Sequence, residues 1–191
     1  QTCALPIFSA GGIAKRIVNF ASALIDFVTG AVGCVSMLAC MFFGALSGSG
    51  MATTAAIGGM MIPEMKKKGY DPAYAATLVC FGGIVGPIIP PSLSFVLYGA
   101  TTKTSVPDLF KAGIIPGVLI GLVFLVVNII ICKRTGTDLR AVETEHIPLK
   151  VFWGRRLKRL WIATRDGFWA LLSPVIILGG IYSGFFTPTE A

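Results

Sequence analysis

Four stretches of this chain contain no Asp, Glu, Lys or Arg: Phe27 to Pro63, Pro72 to Thr102, Ala112 to Cys132 and Gly167 to Thr189. A hydrocarbon core of about 30 Å takes about 20 helical residues to cross, and each stretch reaches that length. With 54% of the 191 residues hydrophobic and 13% charged, charge is gathered at the ends of apolar runs instead of being dispersed over a surface. The expected fold is an all-α polytopic membrane protein. The formal net charge of +7 flanks the apolar runs, where basic residues orient spans, so no nucleic-acid partner is expected.

Catalytic chemistry finds no foothold in the pattern. Cys3, Cys34, Cys40, Cys80 and Cys132 form no CxxC pair, His146 stands alone in a polar stretch, and no nucleophile, base and orienter come together. The charge-free segments hold no His, Asp, Glu or Lys that could move protons. The chain is therefore not expected to be an enzyme, and no cofactor is expected.

Along the chain, residues 1–7, "QTCALPI", have neither the basic start nor the apolar core of a secretory signal. They resemble the translation of a sequencing adapter and are set aside as an artefact on a chain that reads as a fragment. Residues 8–28 place Ile17, Phe20, Ala21, Leu24 and Val28 at helical spacing, with Lys15, Arg16, Asn19 and Ser22 elsewhere around the turn. That pattern suits an interfacial amphipathic helix or a packed one. Residues 29–68 hold an apolar run too long for one span, interrupted by "SGSGMATT". The arm from Thr53 to Pro63 reaches about half the hydrocarbon thickness before Glu64 and three lysines, so a re-entrant hairpin with its tip near the midplane is expected.

In residues 72–104, "GGIVGPIIPPSLS" (Gly82 to Ser94) gathers glycines and three prolines inside an apolar run. Proline removes a backbone donor and clashes with the preceding turn, so a lipid-facing helix avoids such a cluster. A discontinuous helix is expected, with arms from Pro72 to Val85 and from Pro91 to about Thr102. A transmembrane helix at 106–133, a basic connection at 134–166 with an interfacial helix around Trp153 and Trp161, and a further transmembrane helix at 167–191 complete the expected order. On that topology fourteen basic residues share one face and only Lys103 and Lys111 lie opposite. The positive-inside rule then makes the hairpin open from the cytoplasm and turns Lys103 to Lys111 outward.

A break in hydrocarbon is tolerated where the freed backbone faces protein, water or ligand. Ser47, Gly48, Ser49 and Thr53 at the first break, with Gly83, Gly86 and Pro87 at the second, offer hydroxyl and carbonyl oxygens without formal charge, a donor set suited to a monovalent hard cation. Helix N-termini near Thr53 and Thr54 and at Pro91-Ser92 point unpaired N–H groups inward, where they favour an anion such as a carboxylate. Pro91 is expected in the first turn of its helix.

The segments "GALSGSGMATTAAIGGMMIPEMKKKGYDPAYAATL", "GPIIPPSLSFVLYG", "LFKAGIIPGVLIG" and "GGIYSGFFTPTEA", in this order and spacing, resemble the large membrane subunit of tripartite ATP-independent periplasmic (TRAP) transporters. The resemblance implies an elevator-type fold with inverted repeats, re-entrant hairpins and broken helices, of which this chain would carry the first repeat and, from residue 167, the start of the second. It further implies sodium-coupled uptake of an organic acid across the bacterial inner membrane, with sodium as the coupling ion. A periplasmic binding protein would deliver the substrate, and a small membrane subunit would complete the complex. One departure is Thr53, where many members carry an acidic residue, so no charged side chain is expected at this tip. The rival readings are a dicarboxylate:sodium symporter-like carrier without a binding protein and a purely structural membrane subunit.

Overall fold

A computed structural model describes residues 12–25, 28–138, 161, 164, 165, 172 and 176–183. The expectations for 1–7, for most of 134–166 and for most of 167–191 lie outside the described residues. Among those described no strand occurs; the helices are α1 (Ile13–Ile25), α2 (Ala31–Ser47), α3 (Gly50–Lys67), α4 (Pro72–Val85), α5 (Leu93–Thr102) and α6 (Val106–Thr135), and residues 176–182 are helical as well. A 3-10 turn, Gly86–Ile88, follows α4.

The helix α2 is the hub, packing against α1, α3, α4, the 3-10 turn and α6. Its composition explains the role: small residues at Gly33, Ala39, Cys40, Gly44 and Ala45 alternate with Met37 and Phe43, and all are buried. One core joins Ala14, Ile17 and Ala21 of α1 to Val35, Ala39 and Phe43 of α2, Ile57 and Met61 of α3, and Val79 of α4. Phe20 meets Phe42 edge to face at 5.6 Å. The apolar stripe of α1 is thus covered by protein, and Lys15 on its other side is exposed.

The helix α3 is longer than the uncharged arm suggests. It runs for 18 residues from Gly50 through Pro63 and Glu64 to Lys67. The carbonyl that Pro63 deprives of a donor is that of exposed Gly59, and Lys66 and Lys67 suit the negative end of the helix dipole. The helix α6, with 30 residues, is long and apolar enough to cross a membrane. The helix α4 with its 3-10 turn and α5 meet that test as a pair, bent by 45° at their break.

A buried polar network fastens α6 to the start of α2. Asn128 Nδ2 donates to the Gly30 carbonyl at 3.0 Å and to Cys34 Sγ at 3.2 Å. Its Oδ1 accepts from Tyr74 Oη at 3.0 Å. Tyr70 Oη donates to Asp138 Oδ2 at 3.1 Å and accepts from Gly33 N at 3.2 Å. Asp138 Oδ2 also accepts from Val32 N at 3.1 Å, capping α2 from 106 residues away. Burial, reinforced by the negative charge of Asp138, pushes the Tyr70 phenol far above its ordinary pKa, so it remains a donor.

Candidate functional site

The first break is a two-residue reversal between α2 and α3. The helix α2 stops because Gly48 takes the left-handed conformation (φ 62°) and its N–H closes back on the Gly44 carbonyl at 2.8 Å. Ser49 is extended and serves as the N-cap of α3, its Oγ accepting from Ala52 N at 3.4 Å. Beneath the tip, Thr53 Oγ1 donates to the Ser49 carbonyl at 2.8 Å and lies 3.1 Å from Ser47 Oγ. Ser47 Oγ accepts in turn from Ser49 N at 3.3 Å. Thr53 is fully buried. Its hydroxyl and that of Ser47 are therefore occupied in shaping the reversal.

At the second break Val85 ends α4, and the Ile89 N–H bonds the Gly86 carbonyl at 3.0 Å. The peptide between Pro90 and Pro91 is cis. The carbonyl of Gly83 would ordinarily accept from the residue four positions on, but that residue is Pro87, which has no N–H. The expectation that Pro91 opens the next helix needs correction. Ser92 is extended and occupies the N-cap position, so Leu93 is the first helical residue and Pro91 precedes the helix. Ser92 makes no capping bond, and its buried Oγ has no hydrogen-bond partner among the described residues.

Glycines bring the two breaks together. A Cβ on Gly86 would fall 2.6 Å from the Gly44 Cα and 2.7 Å from the Cys40 carbonyl oxygen, so this turn lies directly on the α2 backbone. A Cβ on Gly50 would stand 2.6 Å from the Gly83 carbonyl oxygen, and one on Gly83 would collide with Thr54 Oγ1. The carbonyl released by Pro87 therefore faces the N-terminus of α3.

A cleft of about 740 Å³ opens beside this contact, lined in part by Gly48, Ser49, Thr54, Gly83 and Pro87. Of the residues expected at a site, these five face the cleft. Ser47 and Thr53 support the tip from beneath, Gly86 is pinned on Gly44, and Pro91 and Ser92 lie in the break without lining the cleft. Cys80, Ser94 and Leu97 also line it and were not anticipated. Ser94 stands in the "PPSLS" sequence, one helical position past Leu93, and its hydroxyl was the available signal. Among the described residues no group of three His, Cys, Asp or Glu side chains that could hold a metal comes together. Among the described residues no Lys, Arg, Asp or Glu lines the cleft, so the polarity they give it comes from hydroxyls, carbonyls and helix ends.

Two helix breaks thus meet beside an open cleft, the second of them in the pair α4 and α5 that together is long and apolar enough to cross a membrane. The family model described as "Tripartite ATP-independent periplasmic transporter, DctM component" matches residues 4–191, and the chain belongs to this family. It is 45% identical over 184 residues to the C4-dicarboxylate TRAP transporter large permease protein DctM of Pseudomonas aeruginosa, covering 96% of this chain and 40% of that protein. It is 38% identical over 185 residues to the 2,3-diketo-L-gulonate TRAP transporter large permease protein YiaN of Escherichia coli, covering 97% of this chain and 41% of the relative. Identity to the sialic acid TRAP transporter large permease protein SiaM of Vibrio cholerae is 36% over 185 residues, covering 97% and 40% respectively. The chain thus spans about two fifths of the length of these relatives.

Proposed function

We propose that the protein containing this chain performs sodium-coupled uptake of an organic acid across the bacterial inner membrane, as a multi-pass subunit. The substrate would come from a periplasmic binding protein, and a small membrane subunit would accompany the large one. The helices α2 and α3 form the re-entrant hairpin of an elevator-type carrier, opening from the cytoplasm. The observation that carries this reading is the Gly83 carbonyl, freed by Pro87 and set against the N-terminus of α3 at Gly50. A carbonyl and a helix N-terminus side by side offer neighbouring places for a cation and a carboxylate.

The donor set fits sodium as a coupling ion. The carbonyls of Gly48 and Gly83 and the hydroxyl of Ser49 would hold it, while Ser47, Thr53 and Gly86 keep the two turns in place. Bound there, the ion supplies positive charge that favours a substrate carboxylate nearby. Thr54 and the first N–H groups of α3 would meet that carboxylate, and Pro91 and Ser92 set the entry of α5 on the opposite wall. The named relatives are associated with C4-dicarboxylates, diketogulonate and sialic acid. All three are carboxylates, the class we assign to this protein.

Ser49→Gly in the full-length transporter tests the reading, because glycine retains most of the N-cap preference while the hydroxymethyl group is removed. With the small subunit and binding protein present, uptake measured against sodium concentration should shift to higher sodium by about tenfold or more, the value of a charge-assisted bond. A sodium curve that does not move, at unchanged amounts of folded protein, takes Ser49 out of the site. Sodium-independent uptake refutes the coupling itself.

A further inference from the structure

Among the described residues, the bundle end that carries the α3–α4 turn has more cations than acids to neutralise them. Lys66, Lys67 and Lys68 close α3, and Lys133 and Arg134 close α6. These ends converge, because Met65, Tyr70 and Cys132 share one buried cluster and Cys132 Sγ donates to Tyr70 Oη at 3.4 Å. The acids nearby are committed. Glu64 pairs with Lys67 at 2.6 Å. Asp71 accepts from Ala73 N at 2.9 Å and Tyr74 N at 3.0 Å, and Asp138 is turned inward to Val32 and Tyr70. Lys66, Lys68, Lys133 and Arg134 are all exposed and have no acidic partner among the described residues.

The helix dipoles favour these cations without giving them a bonded partner. The last carbonyls of α3 are closed by backbone N–H groups of Lys68, Gly69 and Tyr70, and the Cys132 carbonyl by those of Gly136 and Thr137. Directly beneath the α6 cations runs an exposed apolar stripe. Val123, Val127 and Ile130 lead at helical spacing to Arg134, and Val126 and Ile130 lead to Lys133; these four apolar residues are 41% to 53% exposed. An apolar wall topped by unpaired cations matches one kind of molecule, with an anionic head and a hydrocarbon tail.

We propose that Lys66, Lys68, Lys133 and Arg134 form a binding site for the headgroup of an anionic phospholipid, whose acyl chain lies along Val123 to Ile130 of α6. A solvated basic rim would bind no lipid in preference to another. An anionic-lipid site selects charge and needs the tail as well as the phosphate.

The test uses the full-length protein in detergent, with phosphatidylglycerol, phosphatidylcholine and inorganic phosphate as probes and native mass spectrometry as the readout. Phosphatidylglycerol should bind at least about tenfold more tightly than phosphatidylcholine, since each basic residue at a lipid surface adds several-fold to affinity. The combined K66Q/K68Q/K133Q/R134Q variant should lose that preference. K66R/K68R/K133R/R134K, which keeps every charge, and K103Q/K111Q, at the far end, should retain it. Equal binding of the two lipids, or an undiminished preference in the neutralised variant, overturns the proposal. Displacement of phosphatidylglycerol by an equal concentration of inorganic phosphate also overturns it, by showing a free-anion site.

Discussion

Three glycine-to-alanine substitutions test whether backbone contact between the two breaks, and not glycine content in general, holds this structure together. At Gly86 the new Cβ would lie 2.6 Å from the Gly44 Cα and 2.7 Å from the Cys40 carbonyl oxygen. Carbon atoms in contact settle at about 3.5 to 4.0 Å, so the turn and α2 must part by about 1 Å. Both obstacles are backbone, and no side chain can swing away. Overpacking of this kind costs about 1 to 3 kcal/mol, and Gly86→Ala belongs at the upper end. Gly121 offers the contrast, since its Cβ would press on the thioether end of Met41, with Sδ at 2.5 Å. That end is flexible, and the helix propensity gained offsets much of the strain, leaving a net change below about 1 kcal/mol. Gly59 has nothing within 4 Å of the place a Cβ would take, so Gly59→Ala should stabilise α3 by about 0.5 to 1 kcal/mol. Equilibrium unfolding of the full-length protein in mixed detergent should rank Gly59→Ala above the parent, Gly121→Ala close to it and Gly86→Ala well below. A Gly86→Ala protein within about 0.5 kcal/mol of the parent would refute the argument.

Asn128→Leu removes the acceptor of the part-buried Tyr74 Oη and one of the two donors to the Gly30 carbonyl, which keeps the Cys34 N–H; unfolding should become easier by about 1 to 3 kcal/mol, and adding Tyr74→Phe should recover part of the loss. Full additivity of those two changes would mean that the pair does not interact. The charge bias supplies a topological expectation: single cysteines at Lys158 and Lys103 of the full-length protein should be labelled from the cytoplasm and the periplasm respectively, and the reverse pattern would overturn the orientation.

The helix breaks were legible in the sequence for a local reason. Gly48 ends α2 through its own left-handed conformation, and Pro87 frees the Gly83 carbonyl whatever surrounds it. Spacing could not show which glycines touch. Gly44 and Gly86 belong to separate GxxxG pairs, and their contact exists only once α2 and α4 have packed. The roles of the hydroxyls were hidden for the same reason. Ser47, Ser49 and Thr53 look alike in sequence, yet only Ser49 lines the cleft while Thr53 is buried beneath it. The extent of α3 was underestimated because Glu64 and the lysines were read as an end, although a helix can carry charge beyond its apolar part. Asn128, the one side chain with a full amide in the apolar run from Ala112 to Cys132, was a signal left unread.

The bond from Asp138 to the start of α2 sets an order on biogenesis. The N–H of Val32 receives its partner from a residue 106 positions later. At about 5 to 20 residues per second, a ribosome needs roughly 5 to 20 s to make that length of chain. From the completion of α3 at Lys67 until Asp138 is made, the hairpin has been synthesised but its first turn has no cap, so the tip forms early on a base that closes late. A ribosome stalled between Lys67 and Asn128 would hold out a hairpin that has its reversal but lacks its anchor, open to whichever insertion factor or chaperone shields exposed backbone at the membrane.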